Sequence, residues 1–201
     1  MYSICNNKKT ISVNKMTKIA ILAAISYVFM FISIPIPGVF PDFLKLDISD
    51  IPAIFGGMAL GPVSGLTIAL LKNLFNGLTS STTAGIGEIA NLLIGGSYVV
   101  VLSLVYRHKK NIKGLILGFF LATIVMTLVG SLTNYYVLLP FYGKIMPMKV
   151  IIDMGHVINS NVIDLKSFVI WMIAPFNIVK AIFMSLITLP LYKKMEVILK
   201  R

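Results

Sequence analysis

Long apolar runs alternate along this chain with short polar segments, and the runs are the length of bilayer spans. Residues 19–41 carry no charge, and their apolar part reads IAILAAISYVFMFISI. After a proline-rich, acidic stretch, PIPGVFPDFLKLDISD, residues 51–71 are again uncharged but are interrupted by Gly61-Pro62. Further runs cover 89–106, 115–139 and, with one exception, 167–192. About 20 apolar residues suffice to cross the hydrocarbon core. The first run follows a basic N-terminus but lacks a small-residue cleavage site at its end, so it reads as an uncleaved helix.

Charge decides how the interrupted run is counted. Lys8, Lys9, Lys15 and Lys18 precede the first run; Arg107, Lys109, Lys110 and Lys113 follow the third; Lys193, Lys194, Lys200 and Arg201 close the chain. The positive-inside rule puts all three patches in the cytoplasm, so an even number of spans separates each pair. That requires two helices in the second run, turning at Gly61-Pro62, where proline lacks an N–H and favours a break. The expected fold is an all-α integral membrane protein with six transmembrane helices and both termini cytoplasmic. The helices fall at about 17–34, 50–60, 62–77, 85–106, 114–139 and 167–193, in a single membrane domain. Outer loops then cover about 35–49, 78–84 and 140–166.

Composition agrees. The 201 residues are 57% hydrophobic and only 12% charged, with a mean hydropathy of +0.91; a soluble domain would be about a quarter charged. A net charge of +11 would suggest nucleic acid in a soluble protein. Here the basic residues flank hydrophobic runs, and the partner they imply is the bilayer, not nucleic acid. The single cysteine, Cys5, excludes an internal disulfide, and His108 and His156 lie in different segments and propose no metal site.

The exception in the last run is Lys180, with 13 uncharged positions before it and 12 after. A lysine at such depth costs on the order of 3 kcal/mol on insertion scales. Asn177 shares its helix face, three residues away. Pro175, just before, frees the carbonyl of Trp171 from its helical partner. Glu88 stands at the start of the fourth helix, where the dipole favours a carboxylate, and Asn134 near the outer end of the fifth. Four polar groups from three helices can thus converge below an outward opening. Plainer readings stand beside this one. Membrane asparagines hydrogen-bond between helices, Glu88 is also placed as an interfacial carboxylate, and a Glu88–Lys180 ion pair would satisfy both charges without a ligand. Tyr135, Tyr136 and Trp171 suit interfacial anchoring as well as ligand stacking.

Taken in order, KLDISDIPAIFGGMALGP, TTAGIGEIANLLIG, TNYYVLLPFYGKI and PFNIVKAI resemble the riboflavin-binding S components of energy-coupling-factor (ECF) vitamin transporters. The resemblance runs from about Lys15 to Lys194. It implies a non-enzymatic cell-membrane subunit that captures riboflavin from outside as transported substrate, with no cofactor. It further implies delivery through a transmembrane coupling subunit and two ATPases. Carried over by motif, it places Glu88, Asn134, Asn177 and Lys180 on the isoalloxazine ring, with Leu46, Asp47 and Thr83 near the flavin or its ribityl chain. Lys180 would read the polar edge of the vitamin, balanced by Glu88. Ala20 and Ala24 form a small-xxx-small pair at the place where that family carries its coupling motif, and such pairs let a second helix approach closely. Internal packing would also account for them.

No G-x-x-x-x-G-K-[ST] loop and no H-E-x-x-H occurs, so neither P-loop ATP hydrolysis nor a zincin site resides in this chain. Two alternatives stay open: an S component for another vitamin, and a proton-coupled permease using a buried Glu/Lys pair.

Overall fold

The computed structural model describes residues 12–81 and 83–200, so Cys5, Lys8, Lys9 and Arg201 lie outside the described residues. Helix α1 (Val13–Met30) leads into an antiparallel hairpin in which β1 (Ser33–Pro35) pairs with β2 (Lys45–Asp47), Ser33 opposite Asp47. Helices α2 (Ile51–Leu60) and α3 (Pro62–Thr79) follow, then α4 (Ile86–His108) and α5 (Ile112–Tyr142). A short α6 (Met148–Ile158) precedes α7, which runs without interruption over 165–200.

Local chemistry sets the breaks. Gly61 adopts φ 104°, a conformation open to glycine, and Pro62 starts α3 where a missing N–H costs nothing. The pair α2 and α3 then folds back tightly: a Cβ on Gly65 would meet the Gly57 Cα at 2.7 Å. Small residues permit that approach. Asn111 caps α5 by accepting from the Gly114 N–H at 2.7 Å, and Asp164 with Ser167 forms a capping box at the start of α7.

Both α5 and α7 contain one π turn, at Asn134–Leu138 and Val169–Ile173. Each is followed two residues on by a proline, Pro140 and Pro175, which cannot donate to the carbonyl four residues back. The wider turn takes up that lost bond, and the two π turns pack on one another. Such turns cluster at functional sites.

Among the described residues, four helices are long and apolar enough to cross a membrane: Val13–Met30, Ile86–His108, Ile112–Tyr142 and Leu165–Met195. Helix α2 is shorter, and its residues 51–58 are buried among its neighbours. The main core gathers Ile54, Ile68, Tyr98, Leu102, Leu115 and Met126; a smaller cluster at the opposite end joins Leu139, Ile151, Val162 and Phe168. Large apolar side chains such as Ile116, Leu128, Leu132 and Ile170 face outward, as the lipid-facing surface of a membrane protein requires.

The segments expected as plain outer loops hold structure. Within 140–166, α6 turns Ile151 and Gly155 inward on a 3.6-residue period, which Asp153 and His156 mask when the segment is judged by polarity. Within 35–49, the hairpin fixes the register of Leu46 and Asp47. Helix α7 also continues past residue 193 to Lys200.

Candidate ligand-binding site

The loop between α1 and α2 lies across the ends of α4, α5 and α7 and is pinned there by aromatic contacts. Phe40 meets Phe176 edge-on at 5.4 Å between ring centroids, and Phe43 stacks on Phe168 at 6.2 Å. Beneath it is a cavity of about 220 Å³. Its apolar wall includes Phe43, Ile94, Leu138, Ile173 and Phe176; its polar lining is Lys45, Asp47, Asn91, Asn134, Asn177 and Lys180, with Tyr142. Small-molecule sites usually measure about 300–1,000 Å³, so the docked loop leaves less room than a fused-ring ligand needs.

The π turns place the two asparagines. The Asn134 Nδ2 donates to the Gly130 carbonyl and the Asn177 Nδ2 to the Ile173 carbonyl, each at 2.8 Å. An amide N–H₂ so engaged fixes the orientation of the group and leaves the Oδ1 as an acceptor. A Cβ on Gly130 would meet the Asn177 Nδ2 at 2.7 Å, so glycine there makes the space Asn177 occupies.

Lys180 donates to Asp47 Oδ2 at 2.7 Å and lies 3.8 Å from Asp50 Oδ2. The expected Glu88–Lys180 pair is therefore corrected: the lysine takes its counter-charge from the hairpin loop. Glu88 instead accepts from Asn76 Nδ2 at 2.9 Å and from the Ser81 and Thr83 hydroxyls at 3.1 Å each. Three neutral donors and the N-terminal turn of α4 satisfy the carboxylate without a cation. Of the expected residues, Asp47, Asn134, Asn177 and Lys180 share the cavity. Glu88 and Thr83 form a network beside it. Leu46 alternates to the face of β2 opposite Lys45 and Asp47. Tyr136 and Trp171 are largely exposed and do not line the cavity.

A second buried pair is new to the structure. Lys72 Nζ donates to Asp50 Oδ1 at 2.5 Å and to Ser49 Oγ at 2.6 Å, with both charged side chains fully buried. Ser49 Oγ in turn donates to Asp47 Oδ1. Lys72, Ser49, Asp47, Lys180 and Asp50 thus form a closed ring of side chains, two cations against two anions. A Cβ on Gly95 would strike the Asp50 carboxylate at 2.7 Å, so α4 also leaves room for it. The sequence carries a signal for this pair: Lys72 is the only charged residue between Asp50 and Glu88, as Lys180 is in its own run. Asn73 and Asn76 extend the same polar stripe on α3, and Asn91 donates to Asn73 Oδ1 at 3.0 Å.

Burial alone would push the Asp47 carboxyl up. The Lys180 and Lys72 ammoniums, with hydrogen bonds from Lys180 and Ser49, outweigh burial and hold it well below the usual carboxylate range. The site accordingly offers a charged donor, two oriented acceptors and an aromatic wall. That set suits a flat apolar body whose edge carries both acceptors and an N–H donor. Among the described residues, no group of three or more His, Cys, Asp or Glu side chains could hold a metal ion.

The chain is similar to known proteins over most of its length. The family described as "ECF transporter, substrate-specific component" matches residues 14–192. The chain is 40% identical to the riboflavin transporter RibU of Staphylococcus aureus (strain TCH60), over 93% of each chain. It is 29% identical to the riboflavin transporter FmnP of Bacillus subtilis (strain 168), over 92% of this chain and 93% of that one. A solved structure described under "Structure and mechanism of the S component of a bacterial ECF transporter" superposes with a TM-score of 0.72 at 40% identity. The match covers 93% of this chain and 98% of that one.

Proposed function

The chain belongs to the family of ECF transporter substrate-specific components, and we propose that it captures riboflavin at the outer membrane face for delivery through an energising module. It is a multi-pass membrane binding subunit, not an enzyme, and riboflavin is its cargo rather than a cofactor. The observation that carries this reading is the convergence of Lys180, Asn134 and Asn177 on one cavity under the outer loop. The pyrimidine edge of a flavin presents two carbonyl acceptors around one N–H. Lys180 donates to a carbonyl, and an asparagine Oδ1 accepts from the N–H. Phe43 and Phe176 supply an apolar wall for the ring system, while Asp47 and Lys45 stand near the loop for the ribityl hydroxyls. Because the cavity measures about 220 Å³, entry of the vitamin displaces the loop that carries Asp47.

The topology belongs to the same proposal. Six spans with both termini cytoplasmic put the ring of charges, Glu88 and the hairpin on the outer side, and the basic patches inside. Helix α2, about 15 Å long, covers only part of the about 30 Å core, screened by its neighbours. Glu88, Thr83 and Leu46 then border the site rather than close it. Ala20 and Ala24 are exposed on α1, whereas Leu22, Ala23 and Ser26 are buried. They therefore offer a helix of the coupling subunit a close approach, with two ATPases behind it. Titrating detergent-purified protein with riboflavin, read by quenching of flavin fluorescence, tests the proposal. Saturable binding at one vitamin per chain is expected; no binding, with the fold intact, would overturn it.

A further inference from the structure

A second cavity, unconnected with the charged ring, runs along the outside of the bundle between α5 and α7. It encloses about 610 Å³ and is lined by apolar side chains including Ile116, Phe120, Leu128, Ile178, Ile182 and Leu189. On α5 it extends from Ile116 to Leu128, and on antiparallel α7 from Leu189 back to Ile178. Twelve residues of helix rise about 18 Å, close to one leaflet, about half of the about 30 Å core. The groove is therefore the depth of one acyl chain, not of a spanning helix.

Its ends differ. Lys113 lies three residues before Ile116, and Lys193 four residues after Leu189, so both extend the groove-lining faces by one turn at the same end. Both are exposed. Arg107, Lys109 and Lys110 lie in or beside the α4–α5 turn at that end. Asp42, Asp47, Asp50, Glu88, Asp153 and Asp164 all belong to the opposite end. An apolar channel one leaflet deep that opens onto two lysines suits an amphiphile with an acyl chain and a negatively charged head. We infer that the α5–α7 groove seats an acyl chain of an anionic phospholipid, with Lys113 and Lys193 balancing the net negative charge of its headgroup. Basic residues between membrane helices on the cytoplasmic side serve such headgroups. The inference rests on the proposed topology for which leaflet is bound, but not on what the outer cavity binds.

Each basic residue near an anionic headgroup is worth about 1 kcal/mol, roughly fivefold in affinity. Native mass spectrometry of the detergent-purified chain, mixed with phosphatidylglycerol and phosphatidylcholine of equal chain length, reads this directly. Phosphatidylglycerol adducts should be retained in marked preference. In a Lys113→Gln, Lys193→Gln variant the preference should fall by roughly 25-fold, about fivefold for each lysine. Ile182→Trp, which fills the groove, should reduce adducts of both lipids. Equal retention of the two lipids by the unaltered chain would overturn the inference, as would an undiminished preference in the lysine variant. Loss of assembly with a coupling subunit in Ile182→Trp, with lipid adducts unchanged, would assign the groove to a protein helix instead and equally overturn it. Riboflavin titration of the same samples keeps the two readings apart: flavin binding should be unchanged in all three proteins.

Discussion

The ammonium of Lys180 and the carboxylate of Asp47, 133 residues apart in sequence, meet at 2.7 Å. This contact ties α7 to the hairpin loop that roofs the candidate site. Its consequence is that the residue best placed to read a ligand edge also holds the loop down. A ligand that engages Lys180 competes with Asp47 for the same donor. Lys72, through Ser49 and Asp50, keeps the remaining charges paired.

Lys180→Met should weaken riboflavin binding by about 1.5–3 kcal/mol, since it removes a charged donor to the flavin edge. Fluorescence titration of folded variant protein gives the dissociation constant, and an unchanged value would remove Lys180 from the site.

Lys72→Met and Asp50→Asn should each lower thermal stability strongly, by about 3–5 kcal/mol, because each removes the nearest counter-charge of a fully buried group. Together they should cost much less than the sum. Thermal melts in detergent for the two single variants and the double variant measure the coupling; strictly additive losses would show that the pair does not act as a unit.

Gly130→Ala should reduce riboflavin affinity while leaving the Lys180–Asp47 contact in place. Its Cβ would press on the Asn177 amide at 2.7 Å and turn it from the cavity. A loss of about 1–3 kcal/mol is expected for one misplaced hydrogen-bonding group. Asn177→Ala, titrated beside it, should not add further to that loss.

Asp47 makes a prediction about pH. Its carboxyl is held low, so the stability it lends to the docked loop is fully present above its unfolded value near about 3.9. That stability is lost only as pH falls through the still lower folded value. Loop docking can be read from a thiol-linked fluorophore at position 39, introduced by Val39→Cys in a Cys5→Ser background. Its signal should stay flat between about pH 5 and 8, above the range in which a carboxyl so depressed titrates. A carboxylate-like step within that window would mean that Asp47 is not paired as described.

The parts of this fold that follow from local chemistry were legible in the sequence, and those that depend on distant partners were not. Gly61-Pro62 marks the α2–α3 break because one residue supplies a positive φ and the next lacks an N–H. Asn177 and Lys180 announce themselves as polar residues within an apolar run. The partner of Lys180 could not be read the same way. Asp47 reaches it only through a hairpin whose short strands carry little pattern, whereas Glu88 looked suitable by depth alone. Lys72 is legible in principle, but it borders Asn73 and Asn76, so it resembles the polar end of a run rather than a charge within one. Helix α6 was obscured by Asp153 and His156 on its outer face.

On the proposed function, this chain binds the vitamin but depends on another subunit to move it uphill. In proteoliposomes, uptake of labelled riboflavin should stay at the level of binding for the chain alone. It should become ATP-dependent and concentrative once the coupling subunit and its ATPases are added. Bulky replacement of the exposed pair, Ala20→Trp with Ala24→Trp, should abolish the uptake and spare the binding. Accumulation against a gradient by the purified chain alone, driven by a proton gradient, would make it a permease instead.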